Sequence, residues 1–93
     1  MGYSINMERL KKVAVIDGQG GRLGRMIVEK IKEEGLKCCI RAVGTNTLAT
    51  NAMLKAGADE GATGENPVIV ACREADVIIG PVGFFPLTRF LEK

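Results

Sequence analysis

The spacing of apolar residues changes along the chain, and each spacing predicts a different element. Val13–Asp17 is an almost continuous apolar run, which is typical of a strand buried on both faces of a parallel sheet. Between Arg22 and Glu34 the apolar residues recur every three or four positions, which predicts an amphipathic helix. Gly35 predicts its end, and Lys37–Val43 predicts a second strand. These elements form a right-handed β-α-β unit.

Shorter elements follow. Helical spacing predicts a helix over Thr47–Ala56 that Gly57 ends, and Ala58–Gly64 has room for a very short strand. Asp76–Gly80 predicts a further strand. The alternation predicts an α/β fold: a Rossmann-like, three-layer arrangement with a parallel sheet that forms an incomplete doubly wound unit.

The segment between the last two strands has two interpretations. Asn66 followed by Pro67 suggests a helix N-cap with proline at the first helical position, so we predict a helix over Pro67–Glu74. The β-branched run Val68–Val70 also suits a strand.

Length and charge place the chain among small globular proteins. Its 93 residues make one domain, which we divide into an N-terminal extension (1–11), a nucleotide-binding domain (12–83) and a divergent C-terminal tail (84–93). The net charge of +2 is small, and basic residues alternate with acidic ones, so we expect no nucleic-acid partner. No apolar run approaches the ~18 residues of a membrane span. We therefore expect a cytoplasmic protein.

The chemistry available for catalysis is limited. The chain has no histidine, which excludes histidine-based triads, Cys/His dyads and histidine metal sites. Cys38, Cys39 and Cys72 lack metal-ligand spacing, so we predict no metal site and interpret the thiols as small buried hydrophobes. No catalytic residue can be named.

The glycine-rich segment after the first strand is the strongest functional signal. A strand, a glycine-rich loop and a helix start together form a device that holds phosphates, because loop and helix amides face the anion. Gly18 permits the tight turn, Gly20 or Gly21 lets backbone approach a phosphate, and Gly24 lets the helix pack close to the sheet. The predicted cofactor-binding residues are Gly18, Gln19, Gly20, Gly21, Arg22, Leu23, Gly24, Thr45 and Asn46.

Two features modify this prediction. Asp17 places a carboxylate at the end of the strand, where it would repel phosphate unless it caps loop amides or meets a metal. The acid that usually binds ribose at the end of the second strand is missing, and Thr45, Asn46 and Arg41 lie near that end. We therefore expect NADP to bind at least as well as NAD. The alternative is that the glycines make only a tight structural turn, and that Thr45 or Asn46 is only a helix cap.

Three motifs resemble one protein family. They are Val15–Gly21 (VIDGQGG), Gly44–Asn46 (GTN), and Met53–Asn66 (MLKAGADEGATGEN) with Ala75–Pro81 (ADVIIGP). Together they resemble a bacterial family, domain-of-unknown-function family 3842. The resemblance implies a Rossmann-like fold and no particular activity, and it runs from about Lys12 to Gly83. The loop Gly18–Arg25 is also similar to the glycine-rich turn of NAD(P)-dependent dihydrodipicolinate reductases.

Three functions remain open. The leading one is a small protein that binds a nucleotide or another phosphate-bearing ligand. The others are an NAD(P)-dependent oxidoreductase, or a subunit of one, and a ligand-free interaction module. The phenylalanines Phe84, Phe85 and Phe90 all lie in the last ten residues, which predicts a homodimer or other association through the tail.

Overall fold

The computed structural model describes residues 10–80 as a four-stranded α/β unit. The predicted tail (84–93) and most of the predicted extension (1–11) lie outside these residues. In chain order the elements are β1 (Lys11–Asp17), α1 (Arg22–Glu33), β2 (Cys38–Gly44), α2 (Thr47–Lys55), β3 (Glu60–Thr63), α3 (Glu65–Glu74) and β4 (Val77–Ile79).

The sheet is parallel throughout, with the strand order β3-β2-β1-β4. The chain first moves from β1 outward through β2 to β3, and α3 then carries it back to β4 on the other side of β1. This reversal makes the carboxyl end of β1 the topological switch point, where open α/β sheets bind ligands. The predicted α/β, Rossmann-like fold is confirmed as an incomplete doubly wound unit.

Two apolar cores cover the two faces of the sheet. Alternate residues of a strand point to opposite faces, so Val13 and Val15 contribute to one core and Ala14 and Ile16 to the other. The first core includes Val28, Ile31 and Met53 from α1 and α2. The second core includes Val68, Ala71 and Cys72 from α3. Burial on both faces explains why residues 13–16 of β1 are all apolar.

The predicted start of α3 is wrong by two residues. Its N-cap is Gly64, with φ of 123°, so Asn66 and Pro67 lie inside the first turn. Proline is tolerated there because the first amides of a helix have no intrahelical acceptor. The run at 68–70 is helical and not a strand, and Val68 is buried against the sheet.

The other helix ends follow local backbone chemistry. Asn46 is the N-cap of α2, and its side chain accepts a hydrogen bond from the Ala49 amide. Gly35 and Gly57 follow α1 and α2 with φ of 69° and 118°, which agrees with the predicted glycine stops. No helix among residues 10–80 is long and apolar enough to cross a membrane.

Candidate functional site

The loop between β1 and α1 is organised around the carboxylate of Asp17. This side chain is only 2% exposed. Its Oδ1 accepts hydrogen bonds from the backbone amides of Gln19 at 2.7 Å and Gly21 at 3.2 Å. Its Oδ2 accepts one from the Gly24 amide at 2.9 Å. Asp17 therefore caps the amides of this segment, and three N–H groups near the start of α1 are occupied by the protein's own acid.

Two of the glycines are required by packing against α2. Gly21 has φ of 89°, and a Cβ on it would lie 2.8 Å from the Ala49 Cα and 2.8 Å from the Ala52 Cβ. A Cβ on Gly24 would lie 2.5 Å from the Sδ of buried Met53. The next neighbour of that Cβ would be the Asp17 Cβ of β1 at 3.1 Å, so Gly24 lets α1 pack closely against α2 as well as against the predicted sheet. Gly21 approaches α2 alone.

The other side of the loop is open. A Cβ on Gly20 would meet no heavy atom within 4 Å, apart from the adjacent residues of the chain. The residues on this side border a cleft of about 390 Å³ at the carboxyl end of β1. The cleft is lined by Asp17, Gln19, Gly20, Arg22, Leu23 and Met26. The amides of Arg22 and Leu23 belong to the first turn of α1, where no intrahelical acceptor is available.

The start of α1 places positive charge beside the buried Asp17 carboxylate. The first turn of α1 contains no acidic residue, and the N-terminus of a helix carries a partial positive charge. Arg22 adds an exposed guanidinium beside the cleft. Arg25, one turn along, forms a 3.8 Å ion pair with Glu29 on the exposed face and does not line the cleft.

The end of β2 offers a ligand fewer free polar side chains than its sequence predicts. The Asn46 side chain is engaged at both ends, since its Oδ1 caps α2 and its Nδ2 donates to the Gln19 carbonyl oxygen at 2.7 Å. Thr45 is exposed, and its amide donates to the Asp17 carbonyl oxygen at 3.1 Å. Of the two predicted residues, Thr45 keeps the more accessible side chain.

Arg41 belongs to a different part of the molecule. It lies on the face of the sheet that α3 covers, where its guanidinium contacts Glu74 at 2.9 Å and Glu60 at 3.4 Å. The hydrogen bond from Arg41 lowers the pKa of Glu74 below its ordinary value. Arg41 and Glu60 line a second cleft, of about 310 Å³. Arg41 is therefore not brought to the glycine-rich loop.

Most of the chain matches the model of one protein family. A family model described as "Domain of unknown function (DUF3842)" matches residues 12–89. The chain belongs to the DUF3842 family. The matched segment extends past Gly83, where the resemblance was expected to end. Searches of curated proteins and of solved structures found no match.

The three cysteines of this DUF3842 protein are structural in character. Cys39 and Cys72 are buried, Cys38 is half-buried, and all three are free thiols. Burial raises the pKa of each thiol, and at Cys39 a hydrogen bond to Glu60 raises it further. A raised pKa keeps a thiol protonated and unreactive at neutral pH. This agrees with the prediction that they act as small buried hydrophobes.

Met26 lines the cleft, which was not predicted from the sequence. It is 54% exposed, and Leu23 beside it is 46% exposed. Helical spacing gives the signal, because Met26 follows Leu23 by three positions and Arg22 by four, so the three share one face of α1. The cleft therefore has a polar end at the loop amides and an apolar wall along α1.

Proposed function

We propose that this protein binds a phosphate-bearing nucleotide in the cleft at the carboxyl end of β1. The observation that carries the proposal is the open side of the loop, where Gly20, Arg22 and Leu23 line a cleft of about 390 Å³ at the switch point of the sheet. A phosphate there accepts hydrogen bonds from the first-turn amides of α1 and pairs with the Arg22 guanidinium. The Leu23 and Met26 side chains offer apolar contact to the rest of the ligand.

The nucleotides in this proposal include NADP and NAD, with NADP bound at least as well. Support comes from the end of β2, where Gly44, Thr45 and Asn46 provide no carboxylate to accept the ribose hydroxyls of NAD. The exposed Thr45 hydroxyl is the polar group left to a ligand, because Asn46 is engaged within the protein. Calorimetric titration with both dinucleotides tests this, and a clear preference for NAD contradicts it.

Titration of two variants tests the site itself. Gly20→Val places an isopropyl group in open space, so the fold should survive while phosphate approach is blocked. Arg22→Gln removes the cleft cation, and Lys30→Gln removes a cation from the exposed face of the same helix as the matched control. We expect ADP, ATP or NADP to bind the parent protein and Lys30→Gln. Binding should weaken in Arg22→Gln and be lost in Gly20→Val.

The negative result is equally clear. A ligand at 100 times its Kd stabilises a protein by about 2.7 kcal/mol. At ~1 mM, a nucleotide with a Kd of ~10 μM reaches this ratio. If no nucleotide raises the melting temperature of the parent protein at ~1 mM, the binding proposal is wrong.

A second candidate, an interaction module, has its own support. Val77 is 46% exposed on β4, on the same sheet face as α1, and Leu23 and Met26 are further exposed apolar residues on α1. No strand within residues 10–80 pairs with the outer edge of β4. Exposed apolar surface and open edges favour association, so self-association with the tail at the contact remains our proposal.

Light scattering tests this second candidate. We expect a dimer or larger species at ~100 μM, within the range where exposed apolar surface drives association. Deleting Phe84–Lys93 should change the oligomeric state, and so should Val77→Lys. A clean monomer for all three proteins contradicts the proposal.

A further inference from the structure

Asn46 connects the glycine-rich loop to α2 through its side-chain amide. Its Oδ1 accepts from the Ala49 amide at 2.8 Å, which satisfies the first turn of α2. Its Nδ2 donates to the Gln19 carbonyl oxygen at 2.7 Å, across 27 positions of sequence. Both ends of one short side chain are therefore fixed, and the Gln19 carbonyl is held toward α2.

This contact has a consequence for the neighbouring amide. The Gln19 carbonyl and the Gly20 N–H belong to the same peptide group, which is planar and trans. The two bonds of a trans peptide point in opposite directions, so a carbonyl held toward α2 turns the Gly20 N–H away from α2. Gly20 has no side chain and therefore restricts the direction of this peptide group weakly, whereas the hydrogen bond from Asn46 fixes it.

We propose that Asn46 is a positioning residue that orients the Gly20 N–H toward the cleft. The expected effect on ligand binding rests on the proposed function, whereas the orientation of the Gly20 N–H is independent of it. Asn46 then acts on the phosphate site indirectly, through the Gln19–Gly20 peptide group, and does not contact the ligand.

Two substitutions separate positioning from capping and from charge. Asn46→Ser and Asn46→Asp both keep a good N-cap for α2. Neither has a donor at the position of Nδ2, because aspartate has only acceptors there and the serine Oγ takes the place of the asparagine Cγ, one bond short of Nδ2. Only the aspartate adds a negative charge. Thr47→Ala, at an exposed position of the same helix start, is the control. With ADP as the probe, we expect both Asn46 variants to raise the Kd on the order of tenfold, the effect of one hydrogen bond to a charged group.

The ligand-free protein gives an independent readout. We expect the Gly20 amide resonance to shift in both Asn46 variants, and to be unchanged in Thr47→Ala. If ADP fails to bind the parent protein, the proposed function fails while this readout still tests the inference. An unchanged Gly20 amide overturns it. So does a Kd raised only in Asn46→Asp, because that result indicates charge repulsion by a residue beside the ligand.

Discussion

The two sides of helix α1 differ in how strictly they limit the size of the side chain at each position. On the side that faces α2 and the sheet, Gly21, Gly24 and Val28 are buried, and an added Cβ at either glycine would collide with α2. On the cleft side, Leu23 and Met26 are about half exposed, and Gly20 has open space around it. Packing against α2 therefore explains Gly21 and Gly24. Only the cleft side of α1 is left accessible to a ligand.

The two methionines beside α1 should give the largest contrast. Met53 is fully buried against α1 and Met26 is 54% exposed on the other side. Met53→Ala should reduce the free energy of unfolding by about 2–5 kcal/mol, because it leaves a cavity in the core. Met26→Ala should change it by no more than about 0.5 kcal/mol. Urea denaturation measures both, and similar losses would remove the distinction between the two sides.

Alanine substitutions at three glycines test the same comparison at backbone positions. Gly21→Ala combines a positive φ with a backbone collision, so we expect a loss of about 2–4 kcal/mol. Gly35→Ala has the positive φ but open space, so the loss should be about 1 kcal/mol. Gly20→Ala has neither, so a change within about 0.5 kcal/mol is expected. Thermal unfolding should rank them in this order, and an unstable Gly20→Ala contradicts the assignment of the open side.

Asp17 should be needed for stability as well as for loop shape. In Asp17→Asn one oxygen is replaced by an NH2 group, so at least one of the three amides that donate to Asp17 loses its acceptor. We expect a loss of about 1–3 kcal/mol in the free energy of unfolding at neutral pH. A variant as stable as the parent would show that the carboxylate does not hold the loop.

The Arg41–Glu74 pair, far from the loop, should give the smallest effect. Arg41 lowers the pKa of Glu74, so the pair's contribution to stability is present above the ordinary glutamate pKa of 4.5 and is lost as the pH falls through the lower folded value. Glu74→Gln should therefore melt slightly below the parent protein at pH 7, and the difference should vanish in acid. A difference that grows toward low pH would contradict this sign.

Much of the fold follows from local patterns in the sequence. The apolar run of β1, the helical spacing of α1 and the glycines at 35 and 57 predict the first five elements within two residues of their bounds. The N-cap of α3 was predicted wrongly because proline is accepted throughout the first helical turn, so its position does not fix where the turn begins.

The candidate site was less accessible to sequence reasoning. Spacing alone cannot distinguish a glycine that faces a ligand, such as Gly20, from one that faces a helix, such as Gly21. The partner of Gly21 lies in α2, and the Asn46 contact to Gln19 spans two loops. Such choices depend on tertiary packing, which the order of residues in one loop does not reveal.

Amide shifts during a nucleotide titration test the central claim most directly. In two-dimensional NMR spectra of the 15N-labelled protein, NADP or ADP should shift the amides of Gly20, Arg22 and Leu23 in a saturable way. The amides of Gly21 and Gly24, which donate to Asp17, should change little. The absence of any saturable shift at the loop, or the largest shifts at Gly21 and Gly24, would contradict the assignment of binding to the open side of α1.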